Sequence, residues 1–227
     1  MFFFDPTYIL AIIGFALTLI AQGKVKSTFA KYSVPSRTGL SGADAAERVL
    51  SSFGIGNVGI AQVAGQLTDH YDPRSKTLRL SDATFDKRTV AAICVAAHES
   101  GHADQDKCHY GPLVLRSTLV PAANFGSQAA WPVFLAGLIF SIQPLTTLGI
   151  ILFLAAVIFQ LVTLPVEFNA SRRALRCLSE NGILPEDEME GARKVLTAAA
   201  MTYVAALASS LLQLLRLIIL AKGDSRD

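Results

Sequence analysis

Hydrophobic and polar positions along this chain segregate into long blocks before any finer period shows. Pro6 to Gly23, Ser117 to Val166 and Val195 to Leu215 hold no charged residue and no histidine, over 18, 50 and 21 residues. A run of about 18 such residues can cross a bilayer as a helix. Fifty residues at about 1.5 Å each make a helix of about 75 Å against a hydrocarbon core of about 30 Å, so the middle run folds back once. Ser141, Gln143 and Pro144 mark the connection. Four spans are predicted, near 6–23, 120–141, 145–165 and 198–221, the second interrupted by Asn124, Gln128 and Pro132.

Within the polar blocks the period shortens. SGADAAERVLSSF at 41–53 sets Ala46, Val49, Leu50 and Phe53 on one face behind a Ser41 N-cap with Asp44 three residues on, and predicts a short amphipathic helix. Val58–Val63 and Gln66–Tyr71 read as strands, and a turn at 72–76 leads into another at Thr77–Leu80. A small sheet with a hairpin thus precedes the next helix. That helix is predicted from an Asp86 N-cap to about Asp104. From Val90 to Ala97 it is apolar on nearly all sides, which predicts burial.

Composition sharpens this picture. Of the 227 residues 52% are hydrophobic and 17% charged, well under the roughly 25% charged of a soluble domain. Disorder, a disulfide scaffold and nucleic-acid binding are set aside. Four spans put residues 24–116 and 167–197 on one face of the membrane. These segments hold 12 and 5 of the 20 Lys and Arg; Arg216 falls inside the last span, with only Lys222 and Arg226 beyond it. Lys24, Lys26, Lys31, Arg116, Arg172, Arg173 and Arg176 lie close to span ends, so the polar face is expected to be cytoplasmic. A secretory signal at the first run is the alternative, but its basic residues follow it instead of preceding it. Cys94, Cys108 and Cys177, odd in number, fit a reducing compartment and read as small buried hydrophobes.

The buried helix carries His98-Glu99-Ser100-Gly101-His102, an HExxH pattern. Histidines at i and i+4 lie about 40° apart around a helix and can converge on one metal ion, which Glu99 borders. Two core histidines bonded to backbone carbonyls are the plain structural alternative. A catalytic zinc takes three protein ligands and keeps one position open for water. His70, Cys108, His109 and Glu167 are candidates for the third. Glu167 leads, because a carboxylate two residues after Pro165, at the end of an apolar run, is costly without a positive partner. Its alternative role is an interfacial acid paired with Arg172.

HESGH after an apolar Ala/Val helix, LTDHYDPRSKTLRLS before it, VPAANFGS after it and LPVEFNASRRAL beyond the third run together resemble the bacterial YugP-like membrane zinc metallopeptidases. The likeness runs from Phe4 to Arg216, and more distantly the pattern is similar to the HtpX and CAAX-prenyl protease group. The resemblance implies Zn2+ held by His98, His102 and Glu167, a gluzincin-like set, with Glu99 as catalytic acid and base. The wider group carries an Asp four residues after the ligand Glu to orient a zinc histidine. Here that position is Ser171, as in the YugP-like pattern, and Asn169 is another candidate for the task.

The expected protein is a mainly α integral membrane protein of the bacterial cell membrane. It has about four transmembrane helices and a small α+β zincin-like catalytic domain on the cytoplasmic face. Its parts are a span at 1–23, the catalytic segment at 24–116, a two-span hairpin at 117–166, the third-ligand helix at 167–197, a span at 198–221 and a tail at 222–227. The expected reaction is hydrolysis of peptide bonds in unfolded or membrane-protein substrates. Glu99 takes the proton of the attacking water, and His109, Tyr110, Arg172 or Tyr203 stabilises the oxyanion. The hairpin at 66–80 offers an edge to which a peptide can add as a strand. A non-catalytic scaffold or chaperone with a structural zinc, its fourth position filled by Cys108 or His109, is the rival reading.

Overall fold

A computed structural model describes residues 6–224. Those residues form α1 (Tyr8–Tyr32), α2 (Gly42–Ser52), β1 (Gly59–Val63), β2 (His70–Asp72), β3 (Thr77–Ser81), α3 (Val90–Lys107), α4 (Gly111–Ile139), α5 (Gln143–Glu180) and α6 (Glu186–Asp224). The chain divides into two compact units. One takes the chain up to Gln22, Leu115–Leu164 and the chain from Thr202; the other takes Gly23–Val114 and Pro165–Met201. Residues 1–5 of the expected first span and 225–227 of the expected tail lie outside the described residues.

The first unit is built from apolar helix. Among the described residues α1, α5 and α6 are long and apolar enough to cross a membrane, by length and composition. α4 is a single helix of 29 residues with Pro121 and Pro132 inside it. Asn124, Ser127 and Gln128 dilute its apolar character, and it is not among the three. At Gly126 an added Cβ would lie 2.5 Å from the carbonyl oxygen of Leu152, so α4 and α5 pack backbone against backbone there. Phe134 and Leu217 are fully buried. Arg216, 8% exposed, lies 4.4 Å from the ring centre of Tyr8 and 5.5 Å from that of Trp131, and its Nε donates to Thr7 Oγ1 at 3.3 Å.

The second unit carries the sheet, in strand order β1-β3-β2. β1 is parallel to β3, and β2 forms an antiparallel hairpin with it, pairing Tyr71 with Leu78. The strand expected at 66–71 shrinks to His70–Asp72. The Asp69 carboxylate accepts from the Ser81 amide at 2.7 Å and the Ser81 hydroxyl at 2.9 Å, so a side chain replaces the ladder at that end. The Ser41 capping box forms as expected: the Asp44 amide donates to Ser41 Oγ, and the Ser41 amide to the Asp44 carboxylate. α3, however, starts after Thr89 and not at Asp86. Thr89 Oγ1 accepts from the Ala92 amide, and residue 89 bridges to Pro35. One face of α3 packs Ala96 and Ala103 against Leu50 of α2 and Leu78 and Leu80 of β3. The other packs Ile93, Cys94 and Ala97 against Ala174 and Leu178 of α5 and Met189 and Leu196 of α6. The expected all-round burial is the outcome.

Candidate metal centre

One helical turn on α3 separates His98 from His102, and their rings meet edge to face with centres 4.8 Å apart. α5 continues as one helix through Pro165, which gives up one backbone hydrogen bond there, and it delivers Glu167 to the same place. Glu167 Oε2 lies 3.3 Å from His98 Nε2 and 3.6 Å from His102 Nε2. The Glu167 side chain is 2% exposed, and those of the histidines 13% and 12%. Among the described residues these three are the group of His, Cys, Asp and Glu side chains placed to hold a metal ion.

This approach requires small residues. An added Cβ on Gly101 would stand 2.7 Å from the carbonyl oxygen of Ala170, so α3 and α5 touch backbone to backbone between the histidines and Glu167. The fourth residue of HESGH is therefore glycine for a steric reason.

Each imidazole is also held from behind. Ser171 Oγ lies 3.1 Å from His98 Nδ1, so the hydroxyl found where the wider group has Asp does face a histidine. Gln105 Oε1 lies 2.9 Å from His102 Nδ1. Gln105 is fully buried, and its amide donates to the Val166 carbonyl at 2.8 Å and to Asn169 Oδ1 at 2.9 Å. Asn169 thus acts on Gln105 and not on a histidine. Its Oδ1 also accepts from Arg173 Nε at 2.7 Å, and Arg173 is ion-paired with Asp104. Gln105 escaped the sequence reading; the available signal was a polar residue three after His102 on a buried face.

Burial works against a charged His102, but hydrogen bonding to Glu167 and its charge outweigh this and raise the imidazole above its ordinary value. Glu99, 9% exposed, accepts from the Tyr71 amide at 3.1 Å, which ties the HExxH helix to the edge strand of the sheet. Tyr71 donates its hydroxyl to Asp106 at 2.7 Å, and Lys76 pairs with the same carboxylate.

Other candidates lie elsewhere. His70 is exposed, its Nδ1 2.9 Å from the Thr68 carbonyl. Cys108 caps α3 and His109 follows at φ 50°, both exposed, and neither joins the group. The Tyr110 ring lies under the Arg173 guanidinium at 5.7 Å. Arg172 lines a groove between α5 and α6, and Tyr203 belongs to the apolar unit.

Two histidines of an HExxH helix joined by a buried glutamate from a second helix define a class, and comparison with known families agrees. The family described as "Putative neutral zinc metallopeptidase" matches residues 7–222, nearly the whole chain, and the chain belongs to it. It is 48% identical over 212 residues to the "Putative membrane protease YugP" of Bacillus subtilis (strain 168), covering 93% of this chain and 94% of that protein. No solved structure matches.

Proposed function

We propose that the chain is a membrane-embedded zinc metalloprotease that hydrolyses peptide bonds near the cytoplasmic surface of the bacterial plasma membrane. The carrying observation is the His98, His102 and Glu167 cluster. Two ligands of a tetrahedral zinc with bonds of about 2.0–2.1 Å stand about 3.3 Å apart, and the two His-to-Glu167 separations are 3.3 and 3.6 Å. Two imidazoles and one carboxylate are a catalytic zinc donor set, and the absence of Cys108 and His109 from the cluster fits an open fourth position.

Zinc bound here supplies Lewis acidity that polarises the scissile carbonyl and acidifies water. The chain's own residues do the rest. Glu99 accepts a proton from the attacking water at its carboxylate and returns it to the departing amine. The Tyr71 amide holds that carboxylate in place. Ser171 and Gln105 fix the imidazole planes so that the Nε2 atoms face Glu167.

The two polar segments share the cytoplasmic side when α4 is counted as a fourth span that completes a hairpin with α5. Substrates are peptide segments of unfolded or membrane proteins. Purified Glu99→Gln protein tests the reading: it should keep one zinc per chain and lose cleavage of an unfolded protein such as casein. Equal proteolysis by both proteins refutes it.

A further inference from the structure

Within the metal-bearing unit, α5 and α6 enclose between them a groove of about 480 Å3. Arg172 and Arg176 from α5 and Arg193 from α6 line it, with Phe168, Leu196 and Ala200. Glu180 lines the groove as well and lies 3.9 Å from Arg176, both side chains 67% exposed. Among the described residues Arg172 and Arg193 make no ion pair, so the groove keeps an excess of positive charge that an anion would offset.

The groove is also amphipathic along its length. Phe168, 42% exposed, follows the apolar run 145–165 by three residues, and Leu196 and Ala200 already belong to the run 195–215. Phe168, Leu196 and Ala200 are thus next in the chain to apolar runs of their own helices, and Arg172 and Arg176 follow Phe168 by one and two turns along α5. A soluble anion would use only the charged part; a lipid matches both. Guanidinium groups take phosphate oxygens in bidentate fashion, and basic residues next to a membrane helix favour anionic lipid.

We propose that this groove binds the phosphate headgroup of an anionic phospholipid, with the start of its acyl chains against Phe168, Leu196 and Ala200. The proposal rests on the membrane reading of α5 and α6 and not on peptidase activity, so the Glu99→Gln protein should bind the same lipid.

The test uses the full-length protein in non-ionic detergent, with phosphatidylglycerol or phosphatidylcholine added and bound lipid counted by native mass spectrometry. One phosphatidylglycerol should be retained in clear preference to phosphatidylcholine. Arg172→Gln with Arg193→Gln should lower that preference by about tenfold or more. Lys24→Gln with Lys26→Gln, which removes exposed charge from α1, should leave it unchanged. A photoreactive phosphatidylglycerol should label the wild-type protein within residues 168–200, a readout that needs no variant to fold. Equal retention of the two lipids, labelling confined to other segments, or an undiminished preference in the arginine variant would each overturn the proposal. So would equally tight binding of glycerol phosphate, which would make the groove a soluble-anion site, or displacement of the lipid by an acidic peptide, which would make it a substrate site.

Discussion

Gln105 fixes which nitrogen of His102 carries the proton. Arg173 can only donate, so Asn169 Oδ1 is the acceptor between it and Gln105. The Gln105 amide group therefore donates to Asn169 and to the Val166 carbonyl, which leaves Oε1 to accept from His102 Nδ1–H. In the neutral ring, the form that binds a metal, the Nε2 lone pair then faces Glu167.

Gln105→Leu removes this constraint with little change in volume. Zinc affinity, measured by chelator competition, should fall about 10- to 100-fold while far-ultraviolet circular dichroism is retained. Unchanged affinity would show that the chain of donors does not bear on the site.

Gly101→Ala places a methyl group 2.7 Å from the Ala170 carbonyl, where backbone and not a flexible side chain must yield. A loss of about 1–3 kcal/mol in stability is expected from overpacking. Because the yielding helix carries Glu167, zinc stoichiometry should fall with it. A stable variant with full zinc content would contradict the packing argument.

Glu99 and Glu167 should separate by phenotype. Glu99→Gln should retain zinc and lose about 10²- to 10⁴-fold in peptide cleavage, the usual range for a general acid or base. Glu167→Gln should lose the metal itself, measured by elemental analysis of the purified protein. Identical metal content in both would remove Glu167 from the ligand set.

Asp106 supplies a pH signature. Burial pushes its carboxyl up, but the Lys76 ammonium and the Tyr71 hydroxyl more than offset this and hold it below its ordinary value of 3.8. A carboxyl lowered in the folded state stabilises the fold above its unfolded value, and that stability is lost as pH falls through the folded value. The wild-type melting temperature should therefore fall below about pH 4 more steeply than that of Asp106→Asn. Parallel acid limbs would mean that the Tyr71–Asp106–Lys76 cluster contributes nothing to stability.

The parts of the site that were legible depended on short-range rules. His98 and His102 are one turn apart, and Glu167 is conspicuous as a lone acid ending an apolar run. Ser41 and Asp44 satisfy each other within four residues. Gln105 was not legible, because the backbone carbonyl it serves belongs to Val166, 61 positions away. The start of α3 was expected at Asp86, and Thr89 caps it instead. Thr89 bridges to Pro35, a contact outside any local pattern. The strand at 66–71 failed for a similar reason, its ladder preempted by the Asp69 to Ser81 bonds. α4 shows the limit of absence of charge as a signal, since Asn, Gln, Ser and Pro lower apolarity without adding any.

Arg216 ties the last helix to the first and the fourth. Its guanidinium rests on Tyr8 and Trp131 and bonds Thr7, groups supplied by the start and the middle of the chain to a helix synthesised last. A buried charge without partners is expensive, so Arg216 makes the fold of α6 depend on Thr7 and Tyr8 at the start of α1 and on Trp131 of α4.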